Sequence, residues 1–163
     1  MSTQVLDPVQ ETFLQGRHIA TLATENPDGT IHMTAVWYLY EDRRLFIATS
    51  SKTRKAQNLA ARPKASLMVD LRRAGNERGL TAAGTVHLIS GSEAQAINER
   101  IHRRYLSSAA MSDRQIGPAF GAFDDIAIQL TPTSWIAWDM ATLDAQAFGG
   151  RLAGTPGFML PLD

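Results

Sequence analysis

The stretch TSSKTRKAQNL, Thr49–Leu59, gathers three cations, Lys52, Arg54 and Lys55, where a strand is predicted to run into a helix. The peptide dipoles of a helix leave partial positive charge at its first turn, so each cation there costs about 0.3–1 kcal/mol. A bound phosphate would reverse the sign, because it accepts hydrogen bonds from the open backbone N–H groups and from the cations. The stretch therefore predicts a phosphate site, with a solvated cationic surface as the alternative. The hydroxyl groups that could assist belong to Thr49, Ser50, Ser51 and Thr53.

Composition narrows the classes of protein that could carry such a site. The formal net charge is zero, which argues against a general nucleic-acid binder, yet residues 43–69 hold seven basic side chains and no acid. The 163 residues include no cysteine, which excludes thiolate metal sites and fits a reducing cytoplasm. No long apolar run and no secretory signal are recognised, so we expect a cytoplasmic protein without a membrane partner.

The elements that must position the cationic stretch are predicted to form an antiparallel sheet in a single domain, residues 1–163. An N-terminal helix lies within residues 1–16, and turn residues at 26–29 join two strands as a hairpin. The alternating run Ile31–Tyr40 is predicted as one strand, and Gly84 as a bulge in a later strand. Few and short helices beside such a sheet favour a barrel. Further strands are predicted at 45–49, 65–70, 80–89, 126–130 and 134–138, and helices at 53–61 and 93–106. A loop with a turn of helix is predicted at 107–123, and an extended tail at 149–163.

Two segments resemble the pyridoxamine-phosphate-oxidase-like split-barrel flavoproteins. FIATSSKTRKAQNLAARPKASLMVD is similar to the flavin-phosphate segment of that family, in which a strand, a Ser/Thr-Arg-Lys-Ala run, a helix, a Pro and a second strand follow one another. IATLATENPDGTIHMTAVWYLYEDRRLFIAT resembles the first three strands of the family. The resemblance extends from Gly16 to about Asp70 and fades after Ile89.

This resemblance implies a mainly β fold, a six-stranded antiparallel Greek-key split β-barrel with a few short helices. It also implies a homodimer with an FMN at each of two sites between the subunits. Arg54 and Lys55 would bind the flavin phosphate, assisted by Thr53 and Thr49. The flavin ring would lie along one strand, mainly against its backbone groups. That strand contributes Met33, Thr34, Ala35, Val36, Trp37 and Tyr38, with core or dimer packing as the alternative role of its two aromatic residues.

Two departures bear on the substrate. Gly79 stands where the oxidases of this family have a Gln that contacts the flavin, and the C-terminal tail lacks their substrate-binding run. We therefore expect a flavin-dependent oxidoreductase that transfers a hydride to or from another small conjugated molecule, with substrate contacts in the loops and the tail. Alternatives are a reductase that uses the deazaflavin coenzyme F-420, a non-enzymatic flavin or heme module with His32 or His87 as axial ligand, and a binder of phosphate metabolites.

No metal site is expected from the four histidines. His18, His32, His87 and His102 have no second ligand at a spacing typical of metal sites. No catalytic residue can be assigned either, because in hydride transfer the cofactor carries the chemistry and the protein supplies position and electrostatics.

Overall fold

The computed structural model describes residues 5–161, and the strands in this range form one antiparallel sheet. The strands are β1 (Ala20–Glu25), β2 (Ile31–Val36), β3 (Leu39–Glu41), β4 (Arg44–Thr49), β5 (Lys64–Leu71), β6 (Arg78–Ser90) and β7 (Ile126–Asp139). The helices are α1 (Pro8–Gln15), α2 (Arg54–Ala61), α3 (Gly91–Tyr105), α4 (Ser108–Ser112), α5 (Ile116–Phe123), α6 (Met140–Phe148) and α7 (Arg151–Gly154). None of the helices in this part of the chain is long and apolar enough to span a membrane.

The order of strands in the sheet is β2-β1-β5-β6-β7-β4-β3. The mainly β antiparallel fold class is confirmed, but the predicted count of six strands in a barrel is wrong: within residues 5–161 there are seven strands in an unclosed sheet. The predicted strand Ile31–Tyr40 is divided, since β2 pairs with β1 at one edge and β3 pairs with β4 at the other. Alternation along the sequence continues through Trp37 and Tyr38, so it could not reveal the break.

The helix that carries the cations is fixed to the first hairpin through a buried amide. Asn58 Nδ2 donates to Thr24 Oγ1 at 3.1 Å and to Asn26 Oδ1 at 3.0 Å. Leu59 of the same helix is buried in the main hydrophobic core of the protein. The helix ends at Ala61, close to Pro63, as the sequence predicts. These polar and apolar contacts hold α2 against β1.

A second, smaller core cluster lies between α3 and the sheet and holds α3 beside the end of β4. Its buried members are Phe46, Ile89, Ala94, Ile97, Ile101 and Ala127, and Trp37 packs against them. Because Ile97 and Ile101 face the sheet at helical spacing, the residues that follow them, Asn98 and His102, are also drawn into buried positions. This packing brings polar groups of α3 to the strand end that carries the cationic stretch.

The C-terminal third contains more helix than the sequence predicts. The loop expected at 107–123 contains α4 and α5, and the extended tail expected at 149–163 is wrong for its first part, where α7 forms. Both oxygens of the buried Asp144 carboxylate accept hydrogen bonds, from the N–H groups of Leu152 and Ala153, each at 2.9 Å. The prediction of an extended tail used only the Gly-rich composition of the segment, which cannot reveal this contact between Asp144 and the start of α7. Residues 1–4 of the predicted N-terminal helix and residues 162–163 of the tail lie outside the described range.

The bulge predicted at Gly84 is confirmed by a register shift between Ala83 and Gly84 in the β6–β7 ladder. A Cβ atom at Gly84 would overlap the carbonyl oxygen of Thr131 and lie 2.8 Å from Cα of Pro132. Both of these atoms belong to the backbone of the adjacent strand, which cannot change rotamer to relieve the overlap as a side chain could.

Gly84→Ala is therefore expected to lower the free energy of unfolding by about 2–4 kcal/mol. Urea denaturation followed by circular dichroism measures the change. Gly121→Ala is the matched control, since a Cβ atom there meets no heavy atom within 4 Å. Equal stability of the two variants would contradict the close strand approach.

Candidate functional site

The cationic stretch lies where β4 ends and α2 begins, as the sequence predicts. Thr53 is the N-cap residue of α2, but its side chain makes no capping hydrogen bond. Its Oγ1 instead donates to the carbonyl oxygen of Ser50 at 2.8 Å and lies 3.2 Å from Oγ1 of Thr49. The first backbone N–H groups of the helix thus receive no acceptor from their own cap, an arrangement that suits an external anion.

Lys55 is the cation that reaches into a cleft of about 490 Å³ beside this helix start. Its side chain is half-buried and forms no ion pair with another residue of the described chain. Burial lowers the pKa of the Lys55 ammonium, and the charge of Asp124 opposes that shift in part. Arg54 and Lys52 are exposed and do not line the cleft. Lys55 is therefore the cation placed to meet a ligand inside the cleft.

Two neighbouring carboxylates, absent from the cationic segment of the sequence, are brought to it by the fold. Asp125 accepts hydrogen bonds from the N–H and the hydroxyl of Ser51, both at 2.7 Å, and these bonds lower the pKa of its carboxyl. Asp124 lines the cleft, and its Oδ2 lies 2.8 Å from Nε2 of His102 in a hydrogen bond. The segment that has no acid in sequence therefore has two acids beside it in space.

Asp124 is held in place from the α3 side. Asn98 Nδ2 donates to the carbonyl oxygens of Asp124 and Ile126, at 2.9 and 3.0 Å, and His102 is only 3% exposed. The backbone and the side chain of Asp124 are thus fixed by two buried residues of one helix. Its carboxylate therefore has a defined position between the buried His102 and the half-buried Lys55.

The other end of the cleft is aromatic and apolar. The indole of Trp37 stacks on the ring of Tyr105, with ring centroids 5.0 Å apart and planes 3° from parallel, and on Phe120, at 5.6 Å and 21°. Phe123 and Ile19 also line the cleft, and Phe123 is 68% exposed. Flat, apolar walls at one end and a cation with open N–H groups at the other match a ligand with a planar body and an anionic tail.

The structure brings six of the ten residues predicted from the sequence to one cleft and leaves four outside its lining. Those in the lining are Thr49, Thr53, Lys55, Ala35, Val36 and Trp37. Those outside it are Arg54, Met33, Thr34 and Tyr38. Tyr38 is fully buried, and its hydroxyl donates to the carbonyl oxygen of Leu14 at 2.9 Å, which assigns the side chain to the core. Ligand contact by any of the ten stays a prediction.

Sequence reasoning missed the wall formed by the end of α5 and the residue after it. Phe120, Phe123 and Asp124 line the cleft from a segment predicted as loop. The available signal was the composition of Ile116–Phe123, IGPAFGAF, which is apolar throughout and carries no charge. A helix of that composition with no buried residue must cover something apolar or be covered itself.

The histidines do not assemble a metal site in the part of the chain that the structure describes, where no group of three or more His, Asp or Glu side chains could hold a metal. His32 pairs with Thr24 across the first hairpin. Neither His32 nor His87 lines the cleft. A heme held in this cleft would therefore lack both of the axial ligands considered from the sequence.

Residues 6–139 match the model of a known protein family, which is described as pyridoxamine 5'-phosphate oxidase. Among curated proteins, none matches the chain.

Several solved structures share the fold. One named F420 reductase is 25% identical, covers 81% of this chain and 98% of its own, and has a TM-score of 0.66. A conserved hypothetical protein from Mycobacterium tuberculosis is 22% identical, covers 88% of this chain and 92% of its own, and has a TM-score of 0.71. The heme storage protein HutZ from Vibrio cholerae is 16% identical, covers 83% of this chain and 95% of its own, and has a TM-score of 0.61. The last two likenesses concern the fold alone.

Proposed function

Because the chain belongs to the pyridoxamine 5'-phosphate oxidase family, we propose that its cleft binds a flavin phosphate and that the protein is a flavin-dependent oxidoreductase. The observation that carries this proposal is Lys55, a half-buried cation without an ion-pair partner in the described chain, at the polar end of an otherwise apolar cleft. A partly desolvated ammonium is stabilised by a bound anion, which would offset the unfavourable burial.

The residues present fit a phosphate at this end of the cleft. The open N–H groups at the start of α2 and the hydroxyls of Thr49 and Thr53 can donate to phosphate oxygens, and Lys55 supplies the charge. Arg54 and Lys52 lie outside the cleft, where they raise the local potential for an incoming anion.

The residues at the other end would orient a planar ring. The rings of Trp37 and Phe120, stacked on each other with centroids 5.6 Å apart, form an apolar wall, and the backbone of Ala35 and Val36 runs beside them at the edge strand β2. The exposed side chain of Phe123 extends this apolar wall. A bound flavin would supply hydride transfer, and the protein's part would be to hold the ring, the phosphate and a small conjugated substrate in register.

FMN is the cofactor that we propose first, and the deazaflavin coenzyme F-420 is the second candidate. The structure named F420 reductase favours the second, since it is 25% identical and nearly its whole length is covered. Both cofactors carry phosphate, so the same cations serve either one.

Pyridoxamine phosphate is not proposed as the substrate. At Gly79, where the oxidases of the family have a Gln, a Cβ atom would lie 2.8 Å from Nε1 of Trp138. The indole therefore occupies the space that a longer side chain would need. A different small conjugated molecule is proposed as the substrate of this chain.

We also propose that the protein is a homodimer with its cofactor sites at the subunit interface. On β2, the alternating residues Ile31, Met33 and Ala35 are exposed, and Met33 is 62% exposed. This apolar stripe reaches the cleft at Ala35, which lines it together with Trp37. A second copy covering the stripe would bury apolar surface and also close the open side of the cleft.

The direct test is the absorption spectrum and mass spectrum of whatever co-purifies with the protein. An oxidised flavin absorbs at about 450 nm and the deazaflavin at about 420 nm, so the spectrum separates the two candidates. If the cofactor is lost during purification, binding is measured after FMN or F-420 is added back to the purified protein. Failure of both cofactors to bind at micromolar concentration would refute the proposal, and a Soret band would indicate heme instead.

Cofactor affinity is expected to depend on pH through Lys55. Because burial lowers the pKa of this lysine, the protein without cofactor loses the ammonium charge at a lower pH than an ordinary lysine does. Affinity is then constant below that pKa and falls as pH rises through it, by up to about tenfold per pH unit. Fluorescence titration of the cofactor across the alkaline range measures the fall.

Lys55→Arg is the matched control for this pH dependence. A guanidinium keeps its proton throughout the alkaline range, so the fall should disappear in the variant. The same alkaline fall in both proteins would assign it to another group.

A further inference from the structure

A second cleft, also of about 490 Å³, lies between α1, the start of β6, the end of β7 and α6. This volume lies within the range of small-molecule sites, about 300–1,000 Å³. No residue is shared between its lining and that of the proposed cofactor cleft. Its apolar walls come from Phe13, Leu80, Trp138 and Leu143.

Arg78 is the cation of this second cleft. Its Nε atom is buried and has no hydrogen-bond partner in the described chain, and no carboxylate in residues 5–161 forms an ion pair with it. The guanidinium carbon lies 5.3 Å from the centroid of the Phe13 ring, a cation–π contact that leaves the donors unused. A partly buried guanidinium without an acceptor is unfavourable, and a bound anion would offset this cost.

The acids near Arg78 already have other partners. Asp7 Oδ1 accepts the N–H of Gln10 at 2.8 Å, and Asp139 Oδ1 accepts the N–H of Thr142 at 2.9 Å, so each carboxylate caps a helix. Glu77 also has a buried oxygen without a partner, but it does not line this cleft. Because two carboxylates stand beside the one guanidinium in the lining, a phosphate dianion is disfavoured more than a singly charged anion.

We propose that this cleft binds a small apolar monocarboxylate. The Arg78 guanidinium holds the carboxylate, for which its paired N–H donors have the matching geometry. Phe13, Trp138 and Leu143 contact the apolar or aromatic body. The two clefts have separate linings within one chain, although Gly79, at the position of the flavin-contacting Gln of the oxidases, lines the second one.

The test uses 2-naphthoate and its neutral analogue 2-naphthalenemethanol as probes, titrated calorimetrically into the full-length protein. We expect naphthoate to bind with a dissociation constant below roughly 1 mM. Arg78→Gln should weaken naphthoate binding about tenfold or more and leave the binding of the neutral analogue within about twofold. Arg72→Gln is the control, since Arg72 is exposed, pairs with Asp70 and lies outside the cleft.

A second variant keeps the test decisive if Arg78→Gln fails to fold. Leu143 is exposed on α6, so Leu143→Glu should fold and repel the carboxylate, which again weakens naphthoate more than the neutral probe. Absorbance of bound cofactor should be unchanged in both variants, which separates this site from the first cleft. The proposal is overturned if naphthoate does not bind the wild type, if neither variant alters its binding, or if inorganic phosphate displaces it at an equal concentration.

Discussion

Lys55→Ala is expected to reduce cofactor affinity by about 10- to 150-fold, the equivalent of a charge-assisted hydrogen bond of about 1.5–3 kcal/mol. Lys55 is half-buried at the polar end of the cleft, so water replaces it poorly. Arg54→Ala should reduce affinity by no more than about fivefold, because Arg54 is exposed and outside the lining. The double variant should lose its cofactor during purification. Equilibrium dialysis against FMN and F-420 measures each effect.

The matched control for Lys55→Ala is Lys64→Ala. Lys64 is an exposed cation of the same basic segment, but it lies at the start of β5 and does not line the cleft. Its removal lowers the net charge equally and should leave affinity within about twofold. The melting temperatures of the wild type, Lys55→Ala and Lys64→Ala should agree within a few degrees, since the replaced side chains lie at a helix start or at a strand end. Full cofactor occupancy in Lys55→Ala would place the phosphate elsewhere.

Met33→Glu is expected to convert the protein to monomers and to release the cofactor. Met33 is 62% exposed at the centre of the apolar stripe on β2, so a second copy seated there would bury the introduced carboxylate without a partner. In a symmetric dimer the substitution enters the interface twice, and it should cost about 3 kcal/mol or more, over 100-fold in the dimer dissociation constant. Analytical ultracentrifugation with simultaneous detection of cofactor absorbance measures both consequences.

Leu160→Glu provides the comparison for Met33→Glu. Leu160 is an exposed apolar residue of the C-terminal tail, away from β2, so its replacement should leave the dimer and its cofactor unchanged. Monomers of Met33→Glu that keep full cofactor occupancy would refute a site shared between subunits. A dimer that survives the substitution would place the interface on another surface.

The fold places two carboxylates, Asp124 and Asp125, beside a cationic stretch that contains no acid in its own sequence. Asp125 already accepts a hydrogen bond from the N–H of Ser51. The backbone donors left for a phosphate are therefore those in the first turn of α2. Asp124 faces Lys55 from the cleft wall and is fixed by His102 and Asn98. The Lys55 ammonium thus has a carboxylate nearby, whose charge partly opposes the lowering of its pKa by burial. This arrangement explains how three cations can stand at a helix start in the folded chain.

Local sequence determined the elements around the cationic stretch. The turn at 26–29 with its hairpin register, the helix after Thr53, the bulge at Gly84 and the capped start of α1 each depend on residues that are neighbours in the chain or in one ladder. Such preferences act over a few residues and are readable without the fold. The family match extends over the same region, and it is confirmed from residue 6 to residue 139.

Only the tertiary structure decided which distant groups complete the site. Asp124 and Phe120 line the cleft, and Asp125 binds Ser51, because β7 pairs with β4 at Thr49 and Ile126, some 70 residues apart in the chain. The division of the run Ile31–Tyr40 between two sheet edges likewise depends on Tyr38 entering the core, where its hydroxyl finds the carbonyl of Leu14. Neither event leaves a periodic trace, because each is fixed by packing and by hydrogen bonds between residues far apart in sequence. Local chemistry therefore specified the cationic end of the cleft, and long-range packing specified its walls and counter-charges.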